Sequence, residues 1–413
     1  MKRYDKYKES GISWIGDIPE HWEMKRLKSR LSLVKDRGTN SIKVGLENIE
    51  SFTGRFFPSE SLFDGEGVQV HIGDIVYGKL RPYLCKVWLA SFECSAIGDF
   101  YVFRCGSDCD KRFMSYLFLS APFTGVCNAS TYGAKMPRVS SNFILSLPIP
   151  LPPLSEQKMI VSYLEAKVGQ MDNLVAKREA QIAYLRELKQ AVIAKAVTQG
   201  IDPQAPLRPS GIPWIGNVPE HWERQRCKDI LTESKEHVGD KCDSYTLLSL
   251  TINGVVIRDV SEGKGKYPKD FETYKVVNPG NLIFCLFDVD ETPRTVGYAH
   301  LQGMITGAYN IFSVESVSVD YLCYYFISLD DRKALKPLYK GLRKVVPLPT
   351  FMSMPIYLPP PSEQEAIVAY INRKTEEIDS LIAMTEQEIA RVRELKQTVI
   401  ADVVTGRINV QPS

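Results

Sequence analysis

The stretch PPLSEQKMIVSYLEAKVGQMDNLVAKREAQIAYLRELKQAVIAKAVTQG, from Pro152 to Gly200, decides the fold. Ile160, Leu164, Val168, Met171, Leu174, Ile182, Leu185, Leu188 and Val192 recur mostly three and four residues apart, which predicts a helix with one apolar stripe, interrupted at Arg178. Two prolines precede it, Ser155 is placed to cap it with Glu156 at the positive end of the helix dipole, and Gly200 with Pro203 closes it. From Ser155 to Thr198, at about 1.5 Å per residue, the rod is about 66 Å long. No single domain buries a rod of that length, so it needs a partner helix.

The partner lies in the same chain. PPPSEQEAIVAYINRKTEEIDSLIAMTEQEIARVRELKQTVIADVVTG, Pro359 to Gly406, repeats the stripe 207 residues on, and Ser362 with Glu365 spells a capping box. The spacing predicts a helix-pair interface of Ile160, Leu164, Met171, Leu174, Leu185 and Leu188 with Ile367, Ile371, Ile378, Leu381, Val392 and Leu395. A second repeat joins the first: SGISWIGDIPEHWE at Ser10–Glu23 and SGIPWIGNVPEHWE at Ser210–Glu223 agree at eleven of fourteen positions. The chain is therefore a tandem duplication whose frames match and whose inserts have diverged. The expected organisation is a domain over residues 1–150, a long helix over 151–200, a second domain over 201–355 and a second long helix over 356–413. In the repeated WIG/PEHWE element, Trp14, Trp22, His21 and His221 read as packing residues.

Each insert carries strand-like runs followed by a helix. The first has Val68–Leu80, Leu84–Phe92 and Asp99–Cys105, then a helix near Arg112–Ser120. The second has Tyr245–Thr251, Gly254–Val260, Gly280–Phe287 and Ala308–Val314, then a helix near Val319–Ser328. The fold class is α/β (α+β): two mixed α/β domains separated by two long antiparallel coiled-coil helices, a pseudo-twofold tandem duplication.

With 44% hydrophobic and 24% charged residues the 413-residue chain is in the range of soluble globular proteins and fills two or three cores. No apolar run reaches membrane-span length, and the charged start MKRYDKYKES is no signal peptide, so a cytoplasmic protein with no membrane partner is expected. Nine scattered cysteines with no CxxC read as reduced thiols, and no metal site is expected.

The net charge is only +2, but its distribution is uneven. Lys111 to Ser155 holds no acid, and neither does Arg332 to Pro361, which carries Arg332, Lys333, Lys336, Lys340, Arg343 and Lys344. A third basic cluster contains Lys25, Arg26, Lys28, Arg30, Lys35 and Arg37. Matching basic segments in both inserts predict two electropositive faces for a polyanion.

Catalytic machinery is missing from the sequence. It has no GxxxxGK[ST] loop, and no Asn/Asp-Pro-Pro-aromatic tetrapeptide of the amino-methyltransferase kind. Gly65-Glu66-Gly67 and Gly263-Lys264-Gly265 read as loop punctuation, and the Glu-x-Lys triplets at Glu156 and Glu165 lie on the long helix without a supporting aspartate. No catalytic residues are assigned, and the chain is not expected to be an enzyme.

WIGxxPEHWE before a variable domain, PPxSEQ opening a long helix and RELKQxVIAxxVT near its end, all present twice, resemble the specificity subunit of type I restriction-modification enzymes across essentially the whole chain. The resemblance implies two target-recognition domains, each reading half of a bipartite site on double-stranded DNA, with paired helices as a ruler between them. It also implies partners: methyltransferase (modification) subunits that bind S-adenosylmethionine and restriction subunits that use ATP and Mg, with no cofactor in this chain. GDIVYGKLRP (Gly73–Pro82) and YGAKMPRVS (Tyr132–Ser140) in the first domain and YKGLRK (Tyr339–Lys344) in the second nominate Lys79, Arg81, Tyr83, Tyr132, Lys135, Arg138, Lys340, Arg343 and Lys344 for DNA contact. Leu286-Phe287-Asp288 stands where the first domain has its KLRP tetrapeptide. The competing class is a two-lobed coiled-coil protein adaptor without DNA specificity, which the basic segments disfavour.

Overall fold

Both long helices form where their period demands, as Leu154–Gln199 and Pro361–Val404 in the computed structural model, which describes residues 2–38, 40–59, 65–258 and 271–411. The end of the Gly254–Val260 run and the Gly263-Lys264-Gly265 triplet lie outside the described residues. At about 1.5 Å per residue the first helix is about 69 Å long. The chain divides into two units, Met1–Glu179 with Glu386–Ser413, and Ala180–Thr385, so both divisions fall inside the long helices.

Within the first unit, Asp172 accepts from Lys396 (2.7 Å), Glu388 accepts from Arg178 (3.1 Å) and Glu179 accepts from Arg393 (2.7 Å). Residue numbers rise on one helix as they fall on the other, so the segments run antiparallel. The second unit has its own pair, Lys189 to Asp379 at 2.7 Å. Shielded positions follow alternating steps of four and three: Leu164, Val168, Met171, Val175, Arg178, Ile182, Leu185, Lys189 and Val192 on the first helix. On the second they are Ile371, Thr375, Ile378, Ile382, Thr385, Ile389, Val392, Lys396 and Val399. That is a heptad seam.

The seam corrects the predicted interface at four positions. Leu174, Leu188, Leu381 and Leu395 are 37 to 49% exposed and sit one step off it, with Val175, Lys189, Ile382 and Lys396 in their places. Picking leucines favours hydropathy over strict heptad phase. Lysine suits the seam here because its aliphatic stem packs while its ammonium reaches an acid on the facing helix. Lys396 is only 6% exposed, with Asp172 as its counter-charge.

The starts of the helices differ from expectation in the same way twice. Ser155 and Ser362 lie inside the first turn rather than capping it, and the prolines' carbonyls take over: Pro153 accepts from the amides of Glu156 and Gln157, and Pro360 from those of Glu363 and Gln364. The box expected of Ser362 and Glu365 is therefore not formed.

The SEQ tripeptide acts as a joint. Buried Glu156 lies 2.8 Å from His21 Nε2 and accepts from the Tyr4 hydroxyl at 2.6 Å. In the second unit Glu363 lies 2.7 Å from His221 Nε2 and accepts from Trp222 Nε1 at 3.1 Å. The histidines expected only to pack are thus acid partners. The adjoining glutamines reach the other way: Gln157 accepts from the amide of Asp110 and Gln364 from that of Ser318, both at 2.8 Å. Asp110 and Ser318 cap the helices Lys111–Leu119 and Val319–Asp331. Fully buried Trp22 and Trp222 complete each joint, and Gly406 closes its helix against Pro19 and Trp22, where any Cβ would collide.

Each insert is built on a four-stranded antiparallel sheet. In the first unit the order is Leu31–Val34, Phe100–Cys105, Ile75–Gly78, Val87–Leu89. In the second it is Leu231–Ser234, Asn310–Val314, Leu282–Phe284, Val296–Tyr298. The first insert's predicted Val68–Leu80 run breaks at His71–Gly73 into Gly67–Val70 and Ile75–Gly78, each in a different sheet. Leu84–Phe92 contracts to Val87–Leu89, and the helix Ala121–Ala129 is additional to the predicted set. The nine cysteines are free thiols in the structure.

Two stability measurements test this architecture. Ile182→Ala, on the seam, should cost about 2–5 kcal/mol in urea unfolding, whereas Leu174→Ala should stay within about 0.5 kcal/mol; equal losses would contradict the seam. Glu156→Ala leaves the buried Tyr4 hydroxyl without its acceptor and should destabilise the first unit by about 1–3 kcal/mol. The equivalent Glu363→Ala should cost less, because that carboxylate is 24% exposed against 3% for Glu156. Hydrogen exchange of each unit's helix amides reads the two separately.

Candidate nucleic-acid interface

Both domains carry a glycine-turned hairpin at the corresponding place despite their divergent sequences, with five residues between the bridged pair in the first and four in the second. In the first, Tyr132 and Arg138 exchange backbone hydrogen bonds of 3.0 Å around Gly133, whose φ of 88° is one that glycine adopts freely. In the second, Lys340 and Val345 do so at 2.8 and 3.0 Å around Gly341, φ 69°. The strand-end loops below them also correspond. Val139 donates its amide to Lys79 (3.1 Å), as Val346 does to Leu286 (2.8 Å). Arg81 and Asp288 occupy the same left-handed corner, with φ of 49° and 47°. The missing KLRP tetrapeptide therefore leaves the loop geometry in place and changes the charge at its corner from positive to negative.

The structure brings the first domain's nominated residues together. Arg138 forks onto Asp99, Nε to Oδ1 at 3.2 Å and Nη2 to Oδ2 at 3.1 Å, and Lys79 Nζ lies 3.7 Å from the same carboxylate and over the Tyr101 ring. The hydrogen bond from Arg138 holds the Asp99 carboxyl below its ordinary range. Arg81 and Lys135 are exposed, with no hydrogen bond or ion pair to their side chains among the described residues. Tyr83, Tyr132 and Met136 are exposed beside them.

In the second domain Arg343 Nη2 donates to Asp288 at 2.7 Å while its guanidinium lies 5.2 Å from the centre of the Phe287 ring. Lys344 and Lys336 both bind Asp290 at 3.1 Å, holding its carboxyl below the ordinary range, and Lys344 also reaches Glu291. Lys340 has no side-chain partner among the described residues, and Leu342 at the tip is wholly exposed.

These contacts correct the reading of acid-free segments as bare positive faces. Asp99 and Asp288 come from outside those segments, across the sheet, and neutralise part of each. Lys333 binds Asp330, and Arg112 binds Glu165. In the third cluster Lys25 binds Glu23, Arg30 binds Asp108 and Arg37 binds Glu66. Sequence reasoning missed Asp99 and Asp288 because a window along the chain sees only its own residues. The positional match between Gly73 and Gly280 was the available signal, since it sets Asp288 opposite Arg81.

Among the described residues no group of three or more His, Cys, Asp or Glu side chains is placed to hold a metal, and no helix is long and apolar enough to cross a membrane. The carboxylates of the two Glu-x-Lys triplets are engaged by His21 and Arg112.

Residues 62–184 match the family model for the type I restriction modification DNA specificity domain. The chain is 29% identical over 193 residues to the type I restriction enzyme EcoDI specificity subunit of Escherichia coli, a match spanning 44% of this chain and 43% of that relative. It is 26% identical over 324 residues to the MjaVIII specificity subunit of Methanocaldococcus jannaschii, covering 72% and 70%. With the EcoKI specificity subunit of Escherichia coli K12 it shares 22% identity over 436 residues, covering 96% and 91%. The fold matches a chain solved in work on complex assembly and conformational transition of the type I R-M system, with a TM-score of 0.67 at 19% identity over 94% of this chain and 98% of that one. The HsdS subunit from Thermoanaerobacter tengcongensis gives a TM-score of 0.50 at 19% identity, covering 95% and 98%. Repeated frame, duplicated domain and sequence relatives agree in what they liken the chain to: the specificity subunits of type I restriction-modification enzymes.

Proposed function

We propose that this chain is the non-catalytic, DNA-reading subunit of a type I restriction-modification complex, each recognition domain reading one half of a bipartite site. The observation that carries this is the pair of corresponding hairpins, each presenting an arginine and a lysine, Lys135 or Lys340, without a side-chain partner among the described residues. Phosphate contacts supply affinity and orient the domain, whereas sequence is read by side chains at base edges. Arg81, Lys135 and Lys340 suit the first task, and Arg138 and Arg343 the second.

The partners in this reading are double-stranded DNA, methyltransferase subunits and restriction subunits in the cytoplasm. S-adenosylmethionine, ATP and Mg belong to those partners. The leucines displaced from the seam, Leu174, Leu188, Leu381 and Leu395, supply exposed apolar positions for protein contacts. The paired helices set the spacing between half-sites.

Exchanging residues 24–150 for the recognition domain of another family member should change one half of the methylated site and leave the other, as read by methylome sequencing. A folded, active chimera that still methylates the original site would overturn the proposal. Separately, Arg81→Ala and Lys135→Ala should each reduce the slope of log affinity against log salt by about 1 and weaken binding evenly across sequences. An unchanged slope would exclude them from the phosphate contacts.

A further inference from the structure

The two arginines best placed to read bases are not free: each is held by a carboxylate from a neighbouring loop, and the two carboxylates arise from different places in the fold. Asp99 precedes the strand Phe100–Cys105, whereas Asp288 sits at the left-handed corner that Arg81 fills in the first domain. Two diverged domains thus each restrain a hairpin arginine with a carboxylate, by different residues.

In the first domain the fork takes the Nε and Nη2 side of Arg138. A guanidinium has five N–H donors in one plane. With one edge engaged, both hydrogens of Nη1 and one of Nη2 remain, and one from each points along the opposite edge as a parallel pair. That pair matches the O6 and N7 acceptors of guanine in the major groove. The Arg138 side chain keeps 34% of its surface exposed, and the Asp99 fork and the hairpin bridges restrict its rotation. Lys79 shares the carboxylate, leaving the cluster of Lys79, Arg138 and Asp99 with one net positive charge.

Resting on the DNA-reading assignment above, we propose that Asp99 is a positioning residue for sequence discrimination: it fixes Arg138 in a base-reading orientation and keeps it from binding phosphates indiscriminately. Asp288 does the same for Arg343 through a single hydrogen bond and the Phe287 ring. The looser hold on Arg343, whose side chain is 68% exposed, predicts a smaller effect there.

The experiment uses the full chain assembled with its methyltransferase subunits. Affinity is measured at fixed salt for a duplex carrying the methylated site, for duplexes with one base pair of either half-site changed, and for an unrelated duplex. Asp99→Asn removes a negative charge and loosens the fork, so affinity for the unrelated duplex should rise roughly two- to fivefold. Discrimination at one base pair of one half-site should fall roughly tenfold or more. Asp99→Glu should restore part of that discrimination, which a loss of folding would not. Arg138→Lys keeps the charge but cannot fork, so it should retain affinity for the unrelated duplex and lose discrimination at the same base pair.

The outcomes separate the two claims. If Arg138→Lys changes discrimination and Asp99→Asn does not, the positioning role is wrong and the DNA-reading assignment stands. If neither Arg138→Lys nor Arg138→Ala alters binding to any duplex, Arg138 does not touch DNA and both fail for this hairpin. If Asp99→Asn weakens all duplexes equally with an unchanged ratio, Asp99 serves hairpin stability alone and the proposal is overturned.

Discussion

The structure depends on a buried carboxylate and the amide side chain next to it. Glu156 ties the long helix to the PEHWE element through His21, and Gln157 ties it to the recognition domain through the capping residue Asp110. Glu363 and Gln364 repeat both ties with His221 and Ser318. Adjacent residues on a helix point about 100° apart, so one dipeptide can hold two different elements. A buried carboxylate without partners is strongly unfavourable, so this joint forms only when helix and PEHWE element dock together. That coupling explains why the two motifs recur together while the intervening sequence drifts: the joint sets how the domain meets the helix, and leaves the hairpins free to change.

The seam follows a related logic. A long two-helix pair built only of leucine and isoleucine tolerates sliding by one heptad, because every heptad resembles the next. Asp172 with Lys396, Arg178 with Glu388 and Lys189 with Asp379 each fit only one alignment. Displacing the register would strand Lys396 in a buried site without its acid, which is the attested use of polar residues in coiled coils. The exposed leucines one step away face outward because the ion pairs hold the seam's phase.

The helices, their antiparallel sense and the duplication were legible in the sequence because each rests on a repeat that can be counted. The segments Tyr132–Ser140 and Tyr339–Lys344 were legible only through the family resemblance and their matching places in acid-free runs, and their hairpin form was not. What the sequence concealed was phase and partnership. Choosing Leu174 over Val175 and Leu188 over Lys189 follows hydropathy, and only the three-dimensional seam shows that a lysine stem can occupy a core position. Likewise an acid-free run says nothing about an aspartate delivered from another strand, so Asp99 and Asp288 appear only once the sheets bring them beside Arg138 and Arg343.

That neutralisation bears on how a protein with a net charge of +2 reads DNA. Affinity from phosphates grows with the number of cations that displace counterions, and it favours no sequence. Among the described residues, Arg81, Lys135 and Lys340 are the cations of the hairpins and their adjoining loops that lack a side-chain partner, so these loops hold little sequence-blind attraction. The arginines with forked donor geometry are the ones restrained by carboxylates. A restrained arginine meets a mismatched base with its donors unsatisfied and cannot swing to a phosphate instead, so the penalty for the wrong base is retained. Such loops are built to discriminate between base pairs rather than to hold any duplex tightly.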